Sequence, residues 1–545
     1  MARPQRRVPV SKAMIVAPQP EAARAGAEML ATGGNALDAV LASALVQGVV
    51  DPIMCGIGGF GILHAYDPAT GRQIVWSGLS ECPRAASADM WSDRYIGETA
   101  DGFGFVVRDS VNECGATAVA VPGILDVFTK AHRALGKMAW ADLFEPAIAV
   151  AKEGWLVRPH VYTVLIQDER KYGRMNYGEK LALTKGGRAL YLDAEGLPKK
   201  PGSRVENPDL AAVLGMVGRD GADALFRGSL GRQIMDDMQR HGGCMSLEDL
   251  DAYAAEQQAP IDVSYRGRRV STVPPPGGGI YVAQLLRVLE RFDLVELGHN
   301  SAECIRVLTE AMKIAGRDRE ERVGDPRFHG GGLDELLSDE YADRCADKIR
   351  HGVKSDLSRD QAAESRHTTH VSCVDRGGMV VSLTHTLGNP SGFIVRDTGM
   401  MLNGAMASFD PRPGRVQSIA PGKRRSSTMC PSIVFEGDQA VMTLGAPGAS
   451  WIGPGVSQVL LNVLDWGMGM QEAVMAGRAV ATSNAIDISN QIPVSVEREL
   501  GAMGYEVRRS HLTYAFAGVH GITMFDGMLE GGADPQRDGM AIGIP

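Results

Sequence analysis

A layered fold mixing helices with strands, of the α/β or α+β class, is predicted by three features of the sequence. Helical and extended patterns alternate over the first hundred residues. The stretch from about 120 to 350 is mostly helical in pattern, and strands punctuated by glycine turns follow it. With 545 residues, 44% of them hydrophobic, the chain can bury a substantial core, and no repeat of fixed period suggests a solenoid.

In "PEAARAGAEMLATGGNALDAVLASALVQGVVD", Pro20 to Leu30 has helical composition and stops at Gly33 and Gly34. Asn35 can then cap a second helix, whose Leu37, Val40, Leu41, Ala44 and Leu45 recur at helical spacing. "GILHAYDPATGRQIVWSG" reads as two strands joined by an Asp-Pro-Ala-Thr-Gly loop. "PPPGGG", Pro274 to Gly279, continues no element and must be a fixed turn or loop. Residues 314 to 366, charged and poor in large apolar groups, predict a mobile surface arm ending in "KSDLSRDQAAESRH". Strands follow, with one further helical region near 453 to 482.

Charge and cysteine usage narrow the partners. The 56 basic and 65 acidic side chains give a net charge of -9, which offers no footprint for nucleic acid or an anionic membrane. A small-molecule substrate is the expectation. The eight cysteines are scattered, the closest two being Cys55 and Cys82, and no C-x-x-C pair occurs, so they read as single buried thiols in a reducing compartment. The N-terminal stretch has arginines but no secretory apolar run, and no run of about 18 apolar residues suggests a membrane span. A cytoplasmic protein is expected.

Two motifs resemble known sites and fail on context. "GIGGFG", Gly56 to Gly61, matches G-x-G-x-x-G, but a helix leads in and a strand leads out, the reverse of a dinucleotide-phosphate turn. "HGGG" at His329 to Gly332 has no G-x-S-x-G nucleophile to serve. His367, His370 and His385 lack the further ligands that a metal centre needs. No cofactor and no metal are expected.

"TTHVSCVD" and "MVVSLTHT" are strand-like runs separated by Arg376-Gly377-Gly378, and predict an antiparallel hairpin centred on Gly377. That register sets Thr368 opposite Thr386 at the hairpin's open end. Pattern alone reads this most simply as an ordinary cross-strand threonine pair. Its position, where the charged arm stops, allows a second reading. A threonine hydroxyl becomes an effective nucleophile when its residue begins a chain, because the free α-amino group, with a pKa of about 7.7 to 8.0, can take the hydroxyl proton. This requires cleavage of the His367–Thr368 bond.

At this point the chain resembles the γ-glutamyltransferase family of N-terminal-nucleophile hydrolases. The resemblance covers nearly the whole length, through "GGNALDAV", "GIGGFGILHAYD", "VPGILDVF", "NPDLAAVL", "GGCMSLEDLDAY" and "PPPGGG". It continues in "TTHVSCVD", "GMMLNGAM", "SIAPGKRRSSTMCPSIV" and "GAPGAS". It implies an α+β fold, a four-layer αββα sandwich, cut before Thr368 into a large region, 1–367, ending in the flexible charged arm, and a small region, 368–545. The two pieces would stay associated, and a homodimer is compatible with the family. Thr368 matches the nucleophile and Thr386 the threonine that hydrogen-bonds it. Gly448 and Ala449 match the oxyanion pair, which uses main-chain N–H alone. Ser427 and Thr428 match the hydroxyls that contact a substrate carboxylate, and Asn403 lies in the segment matching "LLNN".

The departures bear on substrate. The arginine that grips the glutamyl α-carboxylate, in a segment reading like "A-T-R-D-M", is matched by Ala88. The aspartate that grips the α-amino group is matched by Ser408. Each missing charge-assisted contact is worth about 1.5 to 3 kcal/mol. The loop "TLGNPSG" is shorter than the family's, and Asn389 is the candidate for its asparagine. A non-glutamyl amide, as for acylases or oxamate amidohydrolases in the family, is therefore the first substrate expectation. The second is a γ-glutamyl donor such as glutathione, with Arg84, Arg424 or Arg425 supplying the missing charge. A rival of another class is an unprocessed, non-catalytic scaffold.

Overall fold

The computed structural model describes residues 11–100, 102, 104–357 and 368–545. The helices Pro20–Ala31 and Ala36–Val50 form as expected. Asn35 accepts from the Asp38 N–H while the Asp38 carboxylate accepts from the Asn35 N–H, both at 3.0 Å. The second helix is apolar almost all round, and nearly every residue of it is buried. It lies between a sheet and further helices rather than on the surface. The strands Phe60–Asp67 and Arg72–Gly78 follow as a hairpin.

Two antiparallel sheets make the centre. The first runs in the order Met540–Ile544, Ala13–Ala17, Thr369–Val374, Val380–Thr386, Phe60–Asp67, Arg72–Gly78, Glu256–Gln258. The second runs Glu530–Ala533, His520–Thr523, Gln439–Gly445, Ser432–Glu436, Arg268–Thr272, Ile261–Tyr265. Met14, Val16, Tyr66, Val374 and Val380 of the first meet Ile433, Phe435 and Ile522 of the second. The Tyr66 and Phe435 rings pack edge to face with centroids 5.0 Å apart. The helices Pro20–Ala31, Ala36–Val50 and Ile124–Leu135 cover the outer face of the first sheet. Gly279–Leu289 and Ile452–Leu464, backed by Ala302–Arg322, cover the second. Each sheet therefore buries both faces, and the result is an αββα sandwich of the α+β class.

Three expectations change. The charged stretch from 314 is not a loose arm through 350: it continues the helix Ala302–Arg322 and forms the helix Asp339–Arg350. In the latter, Ala342, Cys345, Ala346 and Ile349 make a narrow buried stripe at helical spacing. Its acidic side answers neighbouring arginines, with Arg287 2.9 Å from Asp339 and Arg291 2.8 Å from Asp343. Small apolar residues sufficed because the stripe is narrow. The last part of the expected arm, 358–366, lies outside the described residues.

The strands Ile261–Tyr265 and Arg268–Thr272 interrupt a region read as mostly helical. Val263, Tyr265 and Val270 are buried at alternating positions, and Arg266 and Gly267, at φ 50° and 74°, make the tight turn between them. The helical region near 453 to 482 is two helices, Ile452–Leu464 and Met470–Met475, followed by the short strand Ala479–Val480.

The sheets approach closely at Gly445. A Cβ there would lie 2.3 Å from the ring of His370, which is fully buried in the facing sheet. Gly445→Ala should therefore lower stability by about 1 to 3 kcal/mol, read as a fall in the thermal unfolding midpoint. An unchanged midpoint would mean that the sheets can part here at no cost.

Candidate active site

The hairpin register matches the expectation drawn from its turn: Thr369 pairs with His385, His370 with Thr384, and so on to Val374 with Val380. One step further along that register come Thr368, just before the strand, and Thr386. Asp375 closes the other end, its Oδ1 accepting from the N–H groups of Gly377 at 2.7 Å and Met379 at 3.1 Å. Side chains then alternate between the two faces.

The face toward the second sheet carries His370, Ser372 and Thr384. His370 hydrogen-bonds Thr384 Oγ1 at 2.8 Å through Nδ1 and Ser372 Oγ at 2.9 Å through Nε2. Burial pushes its pKa well below the ordinary histidine value. The opposite face carries Thr369 and His385. Gln47 Nε2 donates to Thr369 Oγ1 at 2.9 Å, and Gln47 Oε1 pairs with His385 Nε2 at 2.9 Å. Gln19 joins this layer, 3.2 Å from Gln47 and 2.6 Å from Asp51. Burial raises the Asp51 carboxyl to about 7, against the lowering pull of Arg537 and Arg158. Gln47 and Gln19 escaped the sequence reading. A glutamine inside "LASALVQGVV" was the available signal, since a polar side chain in an apolar helix needs buried partners.

The helix Ala36–Val50 thus grips the hairpin at both ends. Its first N–H, on Ala36, donates to Asp375 Oδ2 at 3.0 Å, while Gln47, three turns on, holds Thr369 and His385.

Thr368 is 5% exposed, with φ 89°. For a β-branched residue this conformation is strained, at about 1 to 3 kcal/mol. Thr386 Oγ1 accepts from the Gly388 N–H at 2.8 Å, leaving its own proton to donate. Beyond Gly445 the second sheet delivers Gly448, at φ 136°, and Ala449, at φ 47°. Neither N–H is donated to any described residue. The Gly448 carbonyl accepts from Trp451 at 2.9 Å as the chain turns into the helix Ile452–Leu464.

The Pro274–Gly278 turn positions the hydroxyl pair. Pro276 O accepts from the Ser427 N–H and Met429 O accepts from the Gly278 N–H, both at 2.8 Å. Thr428, Ser450, Gly278, Arg319 and Leu357 line a small cleft beside this turn. Thr368 and Thr386 are not in its wall.

The remaining candidates separate. Ala88 is exposed, and Ser408 ends the short helical turn Ala405–Ser408. Asn403 is committed to main chain: its carbonyl accepts from Ala120 and Ala405 at 3.1 Å, and its amide donates to Gly58 and Ala120 at 2.9 Å. Asn389 is buried, and its carbonyl accepts from Lys180 at 2.7 Å, a cation that also pairs with Glu113 at 2.7 Å. His367 lies outside the described residues. Arg84 is exposed beside Asp249. Arg424 is held 3.1 Å from Glu81 and 2.7 Å from Glu256.

The sequence profile of gamma-glutamyltranspeptidase matches residues 22–544. The chain belongs to the γ-glutamyltranspeptidase family. Its relatives divide by what they act on. The chain is 37% identical, over 98% of its length and 94% of the relative's, to an acylase ACY 1 proenzyme of Pseudomonas sp. (strain V22). It is 31% identical to a glutathione hydrolase proenzyme of Bacillus subtilis (strain 168), over 97% of this chain and 91% of that one. The crystal structure of a cephalosporin acylase from Bacillus halodurans superposes with a TM-score of 0.84 at 25% identity, covering 99% of this chain and 98% of that one. Membership in this family makes the protein an enzyme of the N-terminal-nucleophile type that acts on amide bonds.

The buried histidines behind the site set an acid limit on stability. Burial lowers His64 and His520 to about 4 and His385 to about 3, and lowers His370 as well. Between these values and 6.5 the unfolded chain binds more protons, so stability falls as pH drops. Asp51, raised to about 7, and Asp538, also raised by burial, act in the opposite sense but are two groups against four. The unfolding midpoint should therefore decline as pH falls from 6.5 toward 4. A flat profile over that window would contradict the neutral, buried state of these rings.

Proposed function

We propose that the chain is an autoprocessing amidohydrolase or acyltransferase whose nucleophile is Thr368, freed as an N-terminal residue by scission of the His367–Thr368 bond. The observation that carries this reading is the hairpin register, which brings Thr368 to the same end as the Thr386 hydroxyl; the N–H groups of Gly448 and Ala449, donated to no described residue, support it. These groups are the parts an acyl-transfer site requires.

In processing, Thr368 Oγ attacks the His367 carbonyl carbon, the C–N bond breaks as an ester to Oγ forms, and water hydrolyses that ester. The strained φ of Thr368 favours the step, because cleavage removes the dihedral. In turnover Oγ attacks the substrate amide carbonyl while the new α-amine takes the hydroxyl proton and passes it to the leaving amine. Gly448 and Ala449 N–H stabilise the oxyanion, and Thr386 orients Oγ. Water or an acceptor amine then releases the acyl group. Neither His370 nor His385, the histidines of this hairpin, suits the role of base, since burial drives their pKa values far below neutrality.

The substrate we favour is a non-glutamyl amide. Ala88 and Ser408 supply no charge for an amino-acid zwitterion, and the similarity to acylase proenzymes points the same way. The two pieces should stay together after the cut. In the first sheet Thr369–Val374 is bonded between Ala13–Ala17 and Val380–Thr386, so strands from either side of the junction interleave.

Denaturing electrophoresis should show fragments of 367 and 178 residues that co-elute under native conditions. Thr368→Ala should stay full length and lose amide hydrolysis by on the order of 10⁴-fold or more. A wild type that remains a single band would favour the scaffold. The mature enzyme should also cleave an acyl p-nitroanilide lacking an α-amino group faster than γ-glutamyl-p-nitroanilide, and the reverse order would restore the glutamyl reading.

A further inference from the structure

Gln47 interrupts an apolar helix at the level of the hairpin's open end. Its Nε2 donates to Thr369 Oγ1, and its Oε1 accepts from His385 Nε2, both at 2.9 Å. Thr369 and His385 are themselves partners across the ladder, so one side chain bridges the two strands. Each is the chain neighbour of a candidate site hydroxyl: Thr369 follows Thr368, and His385 precedes Thr386. Among the described residues, Gln47 is the one side chain that hydrogen-bonds either of them. The His385 ring is backed on another edge by Phe128, with centroids 6.3 Å apart.

The orientation of the Gln47 amide is imposed from outside the hairpin. Asp51 accepts from Gln19 Nε2 at 2.6 Å, which leaves the Gln19 carbonyl to accept from Gln47 Nε2 at 3.2 Å. Gln47 therefore turns its N–H groups to Gln19 and Thr369 and its carbonyl to His385. Gln19 is 1% exposed and sits at φ 62°, so the backbone is strained where it delivers this side chain. A methionine or leucine would fill the same place in the helix with no need of polar partners. A satisfied polar relay in an apolar layer specifies one geometry where apolar packing would admit several.

What this geometry serves is a chain end. The strand begins at Thr369, and Thr368 lies just before it at φ 89°. Until scission Thr368 is bonded to the chain on both sides, and afterwards through Thr369 alone. A terminal residue whose amine and hydroxyl must meet the same substrate depends on the fixity of the residue that carries it.

We propose that Gln47 is a positioning residue for the mature nucleophile: by clamping Thr369 to His385 it fixes the chain end that Thr368 becomes. The inference rests on the acyl-transfer reading above. Gln47 touches no reacting atom and acts through Thr369. It matters more to turnover than to self-cleavage, during which Thr368 is still tethered from both sides.

The test separates kcat from KM and turnover from processing. Gln47→Met keeps the side-chain volume and removes both hydrogen bonds, Thr369→Val removes only the hydroxyl, and Thr369→Ser keeps it. The substrate is whichever of butyryl- and γ-glutamyl-p-nitroanilide the mature wild type cleaves faster. Gln47→Met and Thr369→Val should each lower kcat by roughly tenfold to a hundredfold, with KM within about twofold of the wild type. Thr369→Ser should recover most of the loss, and the double variant Gln47→Met with Thr369→Val should lose little more than either alone. Thr369→Val should still form the 367- and 178-residue fragments. A Thr369→Val kcat within about twofold of the wild type, a loss that falls on KM, or fully additive losses would each overturn the proposal and leave Gln47 a packing residue. Failure of Thr369→Val to form the fragments overturns it as well, since the contact would then serve folding or self-cleavage. If the processed wild type cleaves neither amide, the acyl-transfer reading itself falls and this inference falls with it.

Discussion

The pairing of Thr369–Val374 with Val380–Thr386 is the constraint on which the site depends. Strand side chains alternate with a period of two, so a slip of one residue would send Val371 and Cys373 into the layer between the sheets and His370 into the helical layer. Thr386 would turn to the helical layer with it. The slip is opposed at both ends by one helix, through Ala36 on Asp375 and Gln47 on Thr369 and His385. A rigid rod spanning the hairpin fixes its register more firmly than the turn could alone. The site is thereby set by main-chain geometry before any substrate arrives.

Electrostatics divides the work around that frame. The histidines nearest the site are buried, hydrogen-bonded and neutral, so they hold strands in place and do not move protons. On the proposed reading, the base that serves the threonine is the α-amine of a newly made chain end. The charges near the site are likewise sorted. Arg424, Arg478 and Lys180 are closed by carboxylates, and Arg425 is not. The same contrast between satisfied and unsatisfied groups separates Asn403, whose amide is saturated by main chain, from Gly448 and Ala449, whose N–H groups have no acceptor among the described residues.

Much of the fold was legible because it obeys local rules. Asn35 announced a helix start, the Asp-Pro-Ala-Thr-Gly loop a hairpin, and Gly377 the register of the central strands. The charged segment after 314 was misread because low hydrophobicity was taken for looseness, whereas a narrow stripe of Ala342, Cys345 and Ile349 is enough for a helix that covers another helix. The hairpin at 261–272 was missed because its alternating stripe is only two or three residues long in each strand.

The sequence by itself determined the order of elements, the hairpin register that leads to Thr368 and Thr386, and the absence of a charge at Ala88 and Ser408, since these rest on neighbours in the chain or on residue identity. Only the tertiary structure decided what each polar group would meet. Gln47 and His385 are 338 positions apart, and Phe60 and Arg425 are still further apart. Whether a buried arginine meets a carboxylate, as Arg424 does, or an aromatic ring, as Arg425 does, depends on packing between distant layers, which no local pattern records. Pattern brought Thr368 and Thr386 to one end of the hairpin, and packing set the second sheet against that hairpin, with the Gly445 main chain on the His370 ring.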